Sequence, residues 1–461
     1  MNRFLTIVLL LLFTFNLNAQ RLTVHENGRY LVTENSDPFF WLADTAWELF
    51  HRCDREEATN YLEKRASQGF NVVQAVALAE IDGLNTPNPY GDKPLLNNDP
   101  TKPNDAYFEH VDYIINKAGE LGIYIALLPT WGDKVNTKSW GVGPVVFNPE
   151  NARVFGEWMG SRYKDYDNIV WVVGGDRNPR EDSDDVAIWN NMAEGIAAAA
   201  GGYERTLMTF HPQPTDEGEG GSSTWFHNEE WLDFNMHQTG HCANKGTYEH
   251  IEHDYTLSPT KPVLDGEPLY ENHPHCFNAK ERGYSTHDDI RRIMYWNVFA
   301  GAFGQTYGCH AVWQMWQPDR EPINQPLGPW QASLDLPMAN QVQHLKNLML
   351  SRPFLSRVPD QSMVIGTQPD YTEYASATRD EQGRYAMIYL PNGGSKQLDL
   401  TALSSDELST WWYDPRTGNN FPGEKLEKSN RVEVEAPTTA NDWVLVIDSE
   451  EYSAPESTSS N

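Results

Sequence analysis

The chain has 461 residues, with 35 Lys and Arg against 65 Asp and Glu and a net charge of −30. That length exceeds one ordinary domain, a large barrel being the usual exception. The negative balance argues against nucleic acid or an anionic membrane as a partner recruited by bulk charge, and 16 Trp and 21 Tyr are more aromatics than a core alone needs.

The first element is "MNRFLTIVLLLLFTFNLNAQ", with Arg3, an apolar run and then Leu17-Asn18-Ala19. This pattern predicts a secretory signal peptide over residues 1–19, and so an exported protein, periplasmic or secreted. The run is short for a membrane span, no Cys follows the cleavage point to carry a lipid, and no later stretch reads as a membrane insertion. Export permits disulfides, and Cys53, Cys242, Cys276 and Cys309 allow three pairings that the sequence leaves open.

"RLTVHENGRYLVTENSDP" then predicts a β-hairpin turning at Asn27-Gly28. From there a short apolar run alternates with an amphipathic segment. The runs are "FFWLAD", "NVVQAVAL", "GIYIALLPTW", "NIVWVVGGD", "TLMTFH", "FNMHQ", "PVLDGE" and "AVWQMW". The segments between them carry helix signals. Asp54 and Glu57 have capping-box spacing, and Asn148-Pro149 sets a cap before a helix start. Eight strand–helix units predict an α/β fold, a (β/α)8 TIM barrel over residues 20–350 with the hairpin at its start. A doubly wound sheet would carry a Gly-rich loop after its first strand, and "LADTAW" has no glycine. Beyond residue 355, alternating runs broken by "PNGG", "DPRTGN" and "PTTAND" predict a small C-terminal β-sandwich over 355–450, with a disordered tail over 451–461. Trp411, Trp412 and Trp443 in that domain need cover, which predicts a substantial interface with the barrel.

In such a barrel the carboxyl ends of the strands converge on one face, where catalysis sits. Those ends supply Asp44 and Trp47, Glu80, Trp131 and Asp133, Asp176 and Arg177, His211, His237 and Gln238, Glu267, and Trp313 with Trp316. Carboxylates, aromatics and amide or imidazole groups suit a carbohydrate, because aromatic faces stack on sugar C–H groups and polar groups bind hydroxyls. Asp176 after the fourth strand and Glu267 after the seventh form the sharpest pair, since glycosidic cleavage commonly needs two carboxyl groups across the bond. Asp176 also fits a helix cap and Glu267 a salt-bridged loop residue. Asp265 competes with Glu267 but lies further from the strand end. Arg177 fits either a rim ion pair or a bidentate clamp on a sugar carboxylate. His237, His241, His250, His253 and Asp254 raise the question of a metal, but the segment is not helical and lacks known ligand spacing. No metal and no cofactor are expected.

In this order, "DPFFWLADTAWELFHR", "WVVGGDRNP" and "LDGEPLYE" resemble the apiosidase-like glycoside hydrolases, exported bacterial enzymes that join a (β/α)8 domain to a C-terminal β-domain named for collagen binding. The resemblance covers nearly all of the chain after the signal segment. It implies a glycosidase with Asp176 as acid/base and Glu267 as nucleophile, acting on a plant or algal polysaccharide or oligosaccharide, in characterised relatives at an apiose linkage of a pectic side chain. The loops 83–105 and 211–230 would hold specificity. The alternative is a non-catalytic glycan- or protein-binding barrel of a surface glycan-utilisation system. The export signal predicts a mature protein that begins at Gln20. Intact-mass measurement of the secreted or periplasmic product checks this, and retention of residues 1–19 or a lipid on the N-terminus would refute it.

Overall fold

The computed structural model describes residues 20–137, 140–214, 220–243, 245–369 and 371–455. The expected signal peptide and residues 456–461 of the expected tail lie outside the described residues. Eight parallel strands form the barrel: Trp41–Thr45, Val72–Leu78, Tyr124–Thr130, Ile169–Gly174, Met208–His211, Asn235–His237, Val263–Asp265 and Gly304–Tyr307. The eighth pairs with the first, and the sheet continues through the fifth; the sixth and seventh pair with each other. Tyr307 lies opposite Asp44, Gly174 opposite His211, and Asp265 opposite His237. Single hydrogen bonds close the circle. Asp233 N–H donates to the Met208 carbonyl at 2.9 Å, the Thr209 hydroxyl to the Phe234 carbonyl at 2.6 Å, and Phe303 N–H to the Val263 carbonyl at 3.2 Å.

The strands are buried on both faces, which is why most read as unbroken apolar runs. The eighth differs from the expectation. "AVWQMW" is not a strand; the short helix His310–Trp313 runs into it, and the strand is the earlier "GQTY". Its polar side chains find partners on both faces: Thr306 Oγ1 accepts from Trp41 Nε1 at 3.2 Å, and Gln305 Oε1 from Asn297 Nδ2 of the helix His287–Phe299 at 3.4 Å.

The helix starts follow their sequence signals. Asp54 caps Arg55–Ser67 with Glu57 closing the capping box, and Asn148 caps Pro149–Tyr163 with Asn151 in the same role. The hairpin pairs Leu22–Val24 with Leu31–Thr33, and Pro38–Phe39 adds a third strand. Among the described residues no helix is long and apolar enough to cross a membrane.

Beyond Arg357 the chain forms a seven-stranded antiparallel sheet faced by a two-stranded one. Strand alternation gives the large sheet two buried faces. Along Tyr385–Leu390, residues Ala386, Ile388 and Leu390 enter the domain's own core, while Tyr385, Met387 and Tyr389 join the barrel's. Trp412 and Trp443 also lie in the domain's own core, and of the three tryptophans only Trp411 packs towards the barrel. The interface is built from other groups. Tyr389 stacks on Tyr295 at 4.9 Å, and Tyr374 on Tyr248 at 4.0 Å. Arg291 pairs with Asp442 and Arg352 with Asp448, each through two hydrogen bonds of 2.7–2.9 Å. Arg352 and Asp448 are both 1% exposed at the side chain.

Removing one partner of such a pair leaves the other charge buried and unpaired, at a cost of about 3–5 kcal/mol. Asp448→Ala is therefore expected to lower Tm by several degrees in scanning calorimetry; an unchanged Tm would mean that Arg352 finds water when its partner is gone.

Candidate active site

The fourth strand ends at Gly174, and Gly174, Gly175 and Asp176 have φ of 91°, 149° and 50°. A side chain on Gly174 would meet the Phe210 ring at 2.6 Å, and one on Gly175 the Trp131 ring at 2.8 Å. The two glycines fit where other residues would clash, and they turn the chain so that Asp176 enters the mouth of the barrel. Asp tolerates left-handed backbone better than most residues. Asp176 does not cap a helix: the next one, Asp185–Ala200, starts nine residues later.

Asp176 and Glu267 line one pocket of about 600 Å³ at the carboxyl ends of the strands, with Trp47, Glu80, Trp131, Gln238 and Trp313 from the expected set. His211 links the two carboxylates from behind. Its Nδ1 accepts the Asp176 backbone N–H at 3.2 Å. That bond leaves the ring proton on Nε2, which sits 3.1 Å from Glu267 Oε2. The two groups meet as an ion-pair contact, and Oε2 makes no aligned hydrogen bond. Glu267 Oε1, by contrast, accepts from the Tyr270 hydroxyl at 2.5 Å and lies 3.3 Å from His241 Nε2. Trp47 Nε1 donates to the same Tyr270 oxygen at 3.1 Å, which orients that hydroxyl.

The two carboxyls are poised oppositely. Burial raises Asp176, the neighbouring charge of Glu267 raises it further, and Arg177 and His211 only partly offset this, so its pKa stands at about 7. Burial also acts to raise Glu267, but His211 and His241 outweigh it and hold that carboxyl below the usual range. Glu80 is pushed well up, first by burial and then by Glu48, Asp176 and Glu267 around it.

Six expected residues lie outside the pocket lining. Asp44 points out of the barrel and accepts from Tyr61 and Arg65, both at 2.6 Å. Asp133 is fully buried against Lys134 at 2.7 Å and receives the backbone N–H groups of Val142 and Gly143. His237 pairs with Asp254 at 3.0 Å. Trp316 is half-buried outside the pocket wall. Arg177 is buried behind Asp176, donating to the Asp176 and Asn136 carbonyls, and so is not placed to clamp a sugar carboxylate. His211 contacts Glu267 rather than lining the pocket. The competing Asp265 is held by Thr239 at 2.7 Å and Asn297 at 3.0 Å.

Sequence reasoning did not single out Tyr270, Trp140 or Phe277, and it weighed His241 and His273 only as metal ligands; all five line the pocket. Tyr270 lies three residues after Glu267, and that spacing was the available signal. A disulfide joins Cys242 to Cys276, while Cys53 and Cys309 are buried thiols. The bond ties the loop of His241 to that of Phe277. Among the described residues no cluster of three His, Cys, Asp or Glu side chains could hold a metal ion.

Residues 25–356 match the family model "Apiosidase-like, catalytic domain", and residues 358–448 match "Putative collagen-binding domain of a collagenase". A solved glycoside hydrolase family 5 protein from Bacteroides vulgatus is 34% identical over 93% of each chain, with a TM-score of 0.84. A second solved glycoside hydrolase is 33% identical over 94% of this chain and 98% of its own, also with a TM-score of 0.84. No curated protein matches the chain. Barrel, pocket and relatives together define a glycoside hydrolase. The chain belongs to the apiosidase-like family.

If the Glu267 charge raises Asp176, neutralising it must lower Asp176. In Glu267→Gln the Asp176 carboxyl is expected to titrate lower than in the wild type, as read by NMR of 13Cγ-labelled aspartate. An unmoved titration would show that burial alone sets it.

Proposed function

We propose that the enzyme is a retaining glycosidase with Asp176 as acid/base and Glu267 as nucleophile. The observation that carries this reading is the opposite poise of two carboxyls in one pocket, Asp176 held up and Glu267 held down. Carboxyls pushed apart by their surroundings divide into an acid and a base in this way. Protonated Asp176 gives its proton to the leaving oxygen as Glu267 attacks the anomeric carbon. Glu267 then departs as Asp176, now ionised, takes a proton from the incoming water. Tyr270 holds Oε1 of Glu267, and Oε2, with no hydrogen bond of its own, is the oxygen we assign to the attack.

A carbohydrate ligand also accounts for the pocket wall. Trp131 Nε1, Gln238 Oε1 and Glu80 Oε2 are buried there without hydrogen-bond partners. Buried polar atoms are rarely left so, and sugar hydroxyls would satisfy both donors and acceptors. Within the family the reading extends to an apiose linkage in a plant-wall oligosaccharide, met by an exported enzyme.

The test begins with a screen of pectic and algal oligosaccharides, pectic apiosyl oligosaccharides first, with product stereochemistry followed by 1H NMR. Retention is expected; inversion would replace the nucleophile with a water. Glu267→Ala should abolish turnover on every substrate. Asp176→Ala should lose about 10²–10⁴-fold where the leaving group is poor and recover on an activated aryl glycoside, which needs no protonation. Full activity in either variant would remove that residue from the mechanism.

A further inference from the structure

Trp140 stands out among the residues that the chemistry above leaves unused. Its Nε1 donates to Asp176 Oδ2 at 2.5 Å, and it lines the pocket while remaining 42% exposed. Arg177 lies against the indole, its guanidinium carbon 5.4 Å from the ring centroid, and its Nη1 is 3.4 Å from the same Oδ2. The loop that presents Trp140 is built for the purpose. Asp133 Oδ2 receives the N–H groups of Val142 at 3.1 Å and Gly143 at 2.9 Å. A side chain on Gly141 would meet Asp133 at 2.5 Å and Arg177 at 2.9 Å, so the loop lies pressed onto the groups behind the carboxylate. Val142 and Val145 continue the exposed apolar surface at 62% and 52%.

An acid that protonates a glycosidic oxygen stands on the leaving-group side of the bond, so whatever flanks it also flanks the leaving group. We propose that Trp140 is a positioning residue for departure: its N–H occupies Asp176 Oδ2, assigning the transferable proton to Oδ1, and its exposed indole is the platform on which the leaving-group sugar stacks. This inference rests on the acid/base reading of Asp176. A proton on Oδ2 would meet two donors, whereas one on Oδ1 meets neither. When Oδ1 gives up its proton, the same N–H stabilises the carboxylate that results. One side chain thus ties the grip on the leaving sugar to the strength of the acid. Among the described residues the other charged or titratable groups close to Asp176 are Glu267, Glu80, His211 and Arg177, and His241, Lys245, Tyr270 and His273 line the same pocket.

Two variants separate the two roles. Trp140→Phe keeps a ring and removes the donor. It should raise the Asp176 titration, followed by 13Cγ-aspartate NMR, and move the alkaline limb of kcat/KM up by about one pH unit, with KM within about twofold of wild type. Trp140→Ala should show the same shift and in addition raise KM about tenfold on a pectic apiosyl oligosaccharide, or on whichever panel oligosaccharide the wild type cleaves. The NMR titration needs no substrate and reports on folded protein directly. A titration and limb unmoved in Trp140→Phe, or an unchanged KM in Trp140→Ala, would overturn the proposal. Asp176→Ala tells this failure from that of its premise: a wild-type alkaline limb in that variant removes the acid/base reading and the inference together, whereas loss of the limb there, with none of the shifts in the Trp140 variants, removes the inference alone.

Discussion

Gly174, Gly175 and Asp176 take positive φ in succession, and much of the site depends on this turn. The Phe210 and Trp131 rings stand where side chains on the two glycines would be. The tight passage swings the Asp176 carboxyl into the barrel mouth and aims its backbone N–H at His211. That bond fixes which His211 nitrogen carries the proton, and hence what Glu267 meets across the barrel. A local backbone requirement at one strand end thereby sets the arrangement at another, three strands further along the chain.

The electrostatics follow from the same closeness. Two carboxyls share one pocket, and only one has favourable neighbours enough to stay ionised. Tyr270, His211 and His241 gather on Glu267. Asp176 has Trp140 and a long contact to Arg177, against its burial and its neighbour's charge. The Asp133–Lys134 pair holds the loop in place from outside the pocket, whereas Arg177, buried behind the strand end, also acts directly on the charge of Asp176.

Much of this was legible in the sequence because a parallel barrel sends its strand ends to one face. Asp176, Glu267, Trp47, Glu80, Trp131, Gln238 and Trp313 reached the pocket on that argument. The same argument misplaced Asp44 and His237 for a physical reason. Both faces of a parallel barrel strand are buried, so apolar alternation does not tell which side chains point in. Asp133 and Arg177 lie beyond the strands, where packing with the following loop decides. The eighth strand was missed because "GQTY" carries Gln305 and Thr306 where an apolar run would stand, which leaves none to read. Trp140 and His241 arrive on long loops, and the contacts that place them span 36 and 26 residues. In the C-terminal domain, alternation along its strands was visible, but not which face would meet the barrel.

That alternation bears on how freely the two parts of the chain could be exchanged between proteins. The large sheet keeps no idle face: Ala386, Ile388 and Leu390 build its own interior, and Tyr385, Met387 and Tyr389 belong to the barrel's. A foreign β-domain fused after Leu355 would have to reproduce the tyrosine stacking and also carboxylates in register with Arg291 and Arg352. The barrel and its companion therefore behave as one unit for recombination, and a chimera joined at the sequence boundary alone would leave Arg291 with only Asp288 and Gln341 and would strip Arg352 of its carboxylate.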